Sequence, residues 1–385
     1  MQYIKRKIEN EVKTLAREFP IVAILGPRQS GKSTLVQQLF KKYKYITLED
    51  PDIRKQALND PRGFLSEIGR RVIIDEAQKA PELFSYLQTA SDKHNISGSY
   101  ILTGSQNYLL SEKISQSLAG RIGIATLLPF SMEELKNQIK DDELNEILVR
   151  GFYPRIFDKK IRATSFYKTY MDTYLEKDIR LIKNITKYDI FHKFLQVVAG
   201  RNGQVINTLA ISNECDISHN TVKEWLNLLE RSYIIFTVRP YLKNFNRRIT
   251  KKPKIFFYDT GLVCYLLNIH NTEHLKIHPF KGSIFETLII SEFVKNNFNL
   301  AQNREFYFWR DKQQREIDLI IQDGPQIKIL EIKSGQTVRD DFFKHLNYFA
   351  KLSKETKEQF IIYTGPNETK ANEIKIRNWR NIYKI

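Results

Sequence analysis

Cysteine is scarce in this chain of 385 residues: Cys215 and Cys264 are the only two. That is too few for a disulfide framework or a cysteine-based zinc site, and both read as small buried hydrophobes. No apolar run approaches the roughly 18 residues of a membrane-spanning helix, which argues against a protein built into the bilayer. The opening MQYIKRKIENEV is charged and lacks the apolar stretch and small-residue cleavage site of a secretory signal, so a cytoplasmic location is expected. Internal repeats and low-complexity tracts are missing too. What the chain does have is positive charge, 61 Lys plus Arg against 44 Asp plus Glu, a net +17. A balance of that sign favours polyanions, nucleic acid or nucleotide, without specifying either.

The length suits two or three domains of roughly 100–200 residues each. From Ile21 to Leu128 short apolar runs (IVAIL, YITL, VIIDE, YILTGS, IGIATLL) alternate with amphipathic stretches. This pattern predicts a parallel sheet with helices on both faces, and so an α/β domain over 1–138. Long helical patterns follow, read as a helical lid over 139–200. TLAISNECDISHNTVKEWLNLLERSYIIFTVRPY then reads as two helices, a short polar turn and a strand, a winged helix-turn-helix over 201–262. The last segment, 270–385, reads as helix, strand, strand, helix, strand, a separate α/β unit.

Gly26-Pro27-Arg28-Gln29-Ser30-Gly31-Lys32-Ser33 matches G-x-x-x-x-G-K-[ST] between an apolar strand and an amphipathic helix. Glycines let such a loop wrap so that backbone N–H groups and the helix N-terminus point at phosphates. Gly26 to Thr34 are therefore the expected ATP-binding residues, with Lys32 reaching the β- and γ-phosphates and Ser33 ligating Mg²⁺. Val72-Ile73-Ile74-Asp75-Glu76 ends a second buried strand in two carboxylates: Asp75 on the metal side, Glu76 positioning or activating water. A third strand ends in Ser105 and Gln106, polar groups suited to sensing a γ-phosphate.

In order, GPRQSGKST, LEDPDIRKQALNDPRGFL, VIIDEAQKAPELF, YILTGSQNYLL, SQSLAGR, TYLEKDIR, FFYDTGL, GSIFETLIISE and FYFWRDKQQREIDLII followed by EIKSG run nearly end to end. With them the chain resembles the prokaryotic AAA-superfamily ATP-binding proteins that carry a C-terminal restriction-endonuclease-like domain of unknown function. The resemblance implies a P-loop ATPase, a winged helix and a domain related to the PD-(D/E)XK nuclease fold. By it Ser105 or Gln106 matches the sensor position, and Arg121 in LAGR is either an arginine finger for a neighbouring copy, implying a homo-oligomer, or a surface arginine in a local salt bridge.

In SHNTVKEWLNLLERS, Val222, Trp225, Leu226 and Leu229 form one apolar stripe, leaving His219, Asn220, Lys223 and Asn227 outward to meet DNA. Lys243, Arg247, Arg248, Lys251, Lys252 and Lys254 follow near the expected wing, where they would track a phosphate backbone. A packing role for the helices and a merely solvated basic run is the other reading. Toward the C-terminus, Glu286, Asp318, Glu331 and Lys333 make a possible nuclease-like site. Glu331 and Lys333 share a strand face while Ile332 enters the core. Asp318 and Glu331 would hold Mg²⁺, Lys333 would orient water, and Glu286 would assist; DNA docking without cleavage is the alternative. His270, His274 and His278 recur every fourth residue and read as a surface coincidence. Two functions stay open: an ATP-driven machine that remodels or cuts DNA, or a nucleotide-operated switch with no DNA substrate.

Overall fold

The computed structural model describes residues 3–105, 118–175, 188–242 and 252–385. Gln106, Lys243, Arg247, Arg248 and Lys251 lie outside the described residues, as does the side chain of Ser105.

The first sheet contains β1 (Ile21–Gly26), β2 (Lys44–Thr47), β3 (Val72–Asp75), β4 (Tyr100–Ser105) and β5 (Ile122–Thr126), all parallel, in the order β2-β3-β4-β1-β5. Continuous apolar runs let both faces be buried. Along β1, Ile21, Ala23 and Leu25 pack with Phe64, Leu83 and Leu87, while Val22 and Ile24 face Val12, Leu35 and Val36. Helices Glu9–Glu18 and Lys32–Leu39 therefore cover one face, and Pro61–Ile68 and Leu83–His94 the other. Because every strand runs the same way and β4 lies between β1 and β3, Gly26, Ser105 and Asp75 end at one edge. Open parallel sheets bind ligands at that edge.

Helices Leu144–Arg150, Pro154–Lys159, Ala163–Tyr170 and Tyr188–Gly200 follow, then the pair Thr208–Cys215 and His219–Arg231. Asn207 and Ser218 cap that pair by accepting from the N–H groups of Ala210 and Thr221. The stripe Val222, Trp225, Leu226 and Leu229 is buried, with Asn220, Lys223 and Asn227 exposed.

The antiparallel strands β6 (Ile235–Pro240) and β7 (Lys254–Phe257) come next, and β6 runs on through Arg239 and Pro240 into parallel pairing with β8 (Glu305–Arg310). The hairpin is thereby one end of an eight-stranded sheet, β12-β13-β11-β10-β9-β8-β6-β7. Its remaining members are β9 (Glu316–Asp323), β10 (Gln326–Lys333), β11 (Thr356–Tyr363), β12 (Thr369–Ala371) and β13 (Ile374–Asn378). The sequence pattern predicts two strands before the helix Asp341–Leu352. Three form, because Gly324, at φ 62°, turns β9 directly back into β10. Helix Lys281–Asn299 covers one face of this sheet, with Leu288 against Leu319, Leu330 and Ile362; Phe349 of Asp341–Leu352 packs on Ile320, Ile329 and Ile361 across the other.

Buried ions join the two sheets. Lys295 and Glu292 pair on helix Lys281–Asn299, and Lys295 Nζ donates to Phe130 O at 3.1 Å while Glu292 accepts from Met132 N–H at 2.7 Å. No helix among the described residues is long and apolar enough to cross a membrane.

Candidate active site

The loop after β1 carries its strain at fixed points. Gly26 has φ 148°, and a Cβ there would lie 2.1 Å from Leu127 O. Gln29 and Gly31 also take positive φ, 59° and 93°. A larger residue at position 26 would have to push β1 away from the segment after β5, which is the physical content of the glycine in the motif. Helix Lys32–Leu39 starts at Gly31 with no side-chain cap, so the first-turn N–H groups are left to whatever the loop encloses. Ser30 Oγ is buried without a hydrogen-bond partner, and its O–H, with the first-turn N–H groups, is a donor that suits a triphosphate. Arg6 braces the loop from outside: it donates to Ser30 O at 2.9 Å and Leu128 O at 2.7 Å and pairs with Glu134.

Lys32 is 6% exposed, and its Nζ donates to Gly26 O at 3.1 Å and Pro27 O at 2.8 Å. Burial pushes its pKa down to about 8, against the pull of Glu76 and Asp75. Asp75 is anchored by three hydroxyls. Ser33 Oγ donates to Oδ1 at 2.9 Å, Tyr45 OH donates to Oδ2 at 2.7 Å, and Thr103 also donates to Oδ1. The Ser33–Asp75 contact spans the loop and β3, bringing together the two residues expected to hold Mg²⁺. Glu76 leaves the end of β3 in a left-handed conformation, φ 56°, its N–H 3.4 Å from Thr103 Oγ1 and its carboxylate accepting from Gln78.

Arg28, Lys32, Ser33, Thr34 and Glu76 line a cleft of about 1390 Å³ together with Pro154, Arg155 and Lys160. Tyr45, Thr103 and Arg155 escaped the reading of the sequence. The first two sit on strands flanking β3, where a polar residue near a strand end is a weak signal; Arg155, in GFYPRIF, carried no spacing to mark it. Arg121 does not line this cleft. It pairs with Asp92 of helix Leu83–His94, Nη2 to Oδ2 at 3.0 Å, both groups exposed.

The expected DNA-facing residues divide. Asn220, Lys223 and Lys252 are exposed, whereas His219 Nε2 lies 2.7 Å from Thr208 Oγ1 and so is held by the preceding helix. Lys254 is a correction. Counted with the wing cations, it is instead the buried first residue of β7, 3% exposed, with its Nζ 6.0 Å from the ring centroid of Phe256 and 5.5 Å from that of Phe308. An inward register leaves it no route to solvent, and carboxylates meet its charge.

Those carboxylates belong to the C-terminal cluster. Lys254 Nζ donates to Glu286 at 3.0 Å and pairs with Glu316. Lys333 Nζ lies 2.6 Å from Glu331 and 3.5 Å from Asp318, whose Oδ2 also accepts from Ile332 N–H at 2.7 Å. Glu286, Asp318, Glu331 and Lys333 thus converge as the spacing predicted. Glu316 joins them; two residues before Asp318 on β9, it was available from the same alternation. Burial raises Glu331 to about 8 and Glu286 to about 7, neighbouring Asp318 adding to each and Lys333 and Lys254 respectively opposing. His270 and His274 are exposed, with ring centroids 6.3 Å apart.

Residues 18–136 match an AAA domain family; residues 141–273 and 281–381 match two domains of unknown function, DUF8612 and DUF4143. The chain is 26% identical over 321 residues to an uncharacterized protein of Mycobacterium tuberculosis, covering 83% of this chain and 71% of that one. It is 23% identical over 353 residues to an uncharacterized protein of Methanocaldococcus jannaschii, covering 82% and 76%. Among solved structures it is similar to a Walker-type ATPase of Pyrococcus abyssi, with 18% identity, a TM-score of 0.47, and 69% of this chain and 96% of that one covered. Residues 18–136 are thus similar to an AAA domain, and the match over 281–381 assigns no nuclease relationship.

Proposed function

We propose that this chain is a Mg²⁺-dependent ATPase whose nucleotide cycle acts on DNA. The observation that carries the first half is that Lys32, Ser33 and Glu76 line one cleft, with Asp75 in contact with Ser33 behind it. Lys32 and the first-turn N–H groups would take the β- and γ-phosphates, and Ser33 and Asp75 would hold the Mg²⁺ that shields them. Glu76 would take the proton of the attacking water. Ser105, at the end of β4 between the two motifs, is assigned the γ-phosphate. The nucleotide gains a means to move the helical segment, since Arg155 and Lys160 are charged groups lining the same cleft as the loop. Arg121, exposed and outside its own cleft, is assigned to a neighbouring copy in a homo-oligomer.

The lysine supplies a pH test. With a pKa of about 8 in the free protein, Lys32 is an ammonium below that pH and neutral above it. Triphosphate binds the ammonium form, so affinity for ATP should be flat below about pH 8 and fall by about tenfold per pH unit above it. Calorimetric titration across that range checks the slope, and Lys32→Arg should flatten it. A wild-type affinity independent of pH between about 7 and about 10 contradicts the role given to Lys32.

The second half rests on net charge +17 and on Asn220, Lys223 and Lys252 exposed on and beside a helix-turn-helix arrangement. Lys243, Arg247, Arg248 and Lys251 belong to the same proposal. ATP turnover measured against duplex, single-stranded and branched DNA should rise with at least one of them. Affinity for that DNA should fall with salt; four phosphate contacts correspond to about a hundredfold loss between roughly 50 and 200 mM. Turnover indifferent to every DNA assigns the chain instead to a nucleotide-operated switch.

A further inference from the structure

We infer that Lys254 is the resident cation of the C-terminal carboxylate cluster, holding in the full chain the place that a divalent metal ion would otherwise take. One ligand oxygen from each of Glu286, Glu316 and Asp318 lies within 4.8 Å of the others, a spread that suits a metal ion. The bonds those side chains make point the other way. Lys254 Nζ is hydrogen-bonded to Glu286 and paired with Glu316, while Asp318 is engaged by Ile332 N–H and Lys333.

Mg²⁺ demands near-octahedral oxygens at about 2.0–2.1 Å and gives up its water reluctantly. An ammonium already seated among the same oxygens offers the compensation without that cost. Most of the charge is met from within the chain: the four carboxylates, Glu331 included, face two ammonium groups and the Arg310 guanidinium 3.4 Å from Glu316, leaving a formal excess of one negative charge.

The assignment changes what the cluster does. Lys254 begins β7, the outermost strand of the sheet, while Glu286 lies on helix Lys281–Asn299 and Glu316 on β9. The lysine is thus a clasp between the hairpin that follows the helix-turn-helix and the C-terminal sheet. Metal-dependent phosphodiester cleavage at Asp318 and Glu331 would require that clasp to open. In this structure the donor set and an Mg²⁺ ion do not fit together.

The experiment is Mn²⁺ binding to the nucleotide-free full chain, read by electron paramagnetic resonance at neutral pH. Wild type and Asp318→Asn should take up Mn²⁺ equally. Lys254→Ala should gain one equivalent bound at least tenfold more tightly than any site in wild type, and the double variant Lys254→Ala with Asp318→Asn should lose it. Lys254→Met, which keeps an unbranched side chain of similar volume without the charge, replaces the alanine variant should that one fail to fold, with ATP binding at the amino-terminal cleft as the folding control. Wild-type uptake that Asp318→Asn abolishes overturns the inference, as does a folded Lys254 variant that gains no site. Neither result depends on whether the chain hydrolyses ATP or binds DNA.

Discussion

Glu76→Gln should abolish nearly all ATP turnover while leaving ATP bound. Asp75 is committed to position: Ser33, Tyr45 and Thr103 all donate to it, so its lone pairs are organised around the metal side of the site. Glu76, one residue further, has left the strand in a left-handed turn and lines the cleft itself. Its only hydrogen-bond donor among the described contacts to its carboxylate is the neutral amide of Gln78. Of the two carboxylates it is therefore the one placed to meet the attacking water. Loss of a positioned general base costs about 10²–10⁴ in rate. Glutamine keeps the shape and the contact with Gln78, so the dissociation constant for ATP should change by less than about threefold, under 1 kcal/mol. Turnover within about fivefold of wild type would remove Glu76 from the mechanism, because a group worth so little does not carry proton transfer.

How much of this was legible in the sequence depended on whether the chemistry was local. The nucleotide loop was, since Gly26, Gly31, Lys32 and Ser33 are contiguous and each is dictated by backbone shape or phosphate charge. Period-2 alternation correctly set Glu331 beside Lys333 and could have set Glu316 beside Asp318. Lys254 shows the limit. Six cations in twelve residues look like a solvated run, and nothing in that run says that one of them begins a strand pointing inward. Only the pairing of β6 with β8, residues 235–240 with 305–310, carries that lysine to Glu286 and Glu316. Long-range pairing is what a local pattern cannot contain. The same holds for Arg155, which shares a cleft with the nucleotide loop and not a stretch of chain.

Asp259→Ala should be among the most destabilising single substitutions in the chain. Asp259 is buried and serves three donors, two of them from distant segments: Tyr167 OH at 2.6 Å and Phe152 N–H at 2.7 Å, with Leu262 N–H at 2.9 Å as the local cap of helix Thr260–Leu266. Burial raises its pKa, and the hydrogen bond from Tyr167 and the charge of Lys295 work against that rise. The surroundings are shaped to this contact. A Cβ on Gly151 would lie 2.1 Å from Tyr167 OH and 2.6 Å from Asp259, and one on Gly261 would lie 2.4 Å from the same hydroxyl. Alanine leaves the Phe152 and Leu262 N–H groups without an acceptor, each worth about 1–3 kcal/mol, and leaves Tyr167 OH only Arg150 O at 3.2 Å, so breaking this buried network costs about 3–5 kcal/mol in all. For a domain of 150–250 residues that corresponds to a fall in Tm of roughly 6–20 °C, read from a thermal melt. Asp259→Asn should fall between, keeping an acceptor for two of the donors but turning an amide toward the third. The consequence reaches the nucleotide, because Phe152 stands two residues ahead of Pro154 and three ahead of Arg155 in the wall of the cleft. At a temperature where the alanine variant is still folded, its KM for ATP should rise more than its kcat falls, since the wall is loosened while Lys32, Asp75 and Glu76 are untouched. A melt within about 2 °C of wild type, less than about 1 kcal/mol, would mean that the three donors find other partners and that this aspartate holds nothing together.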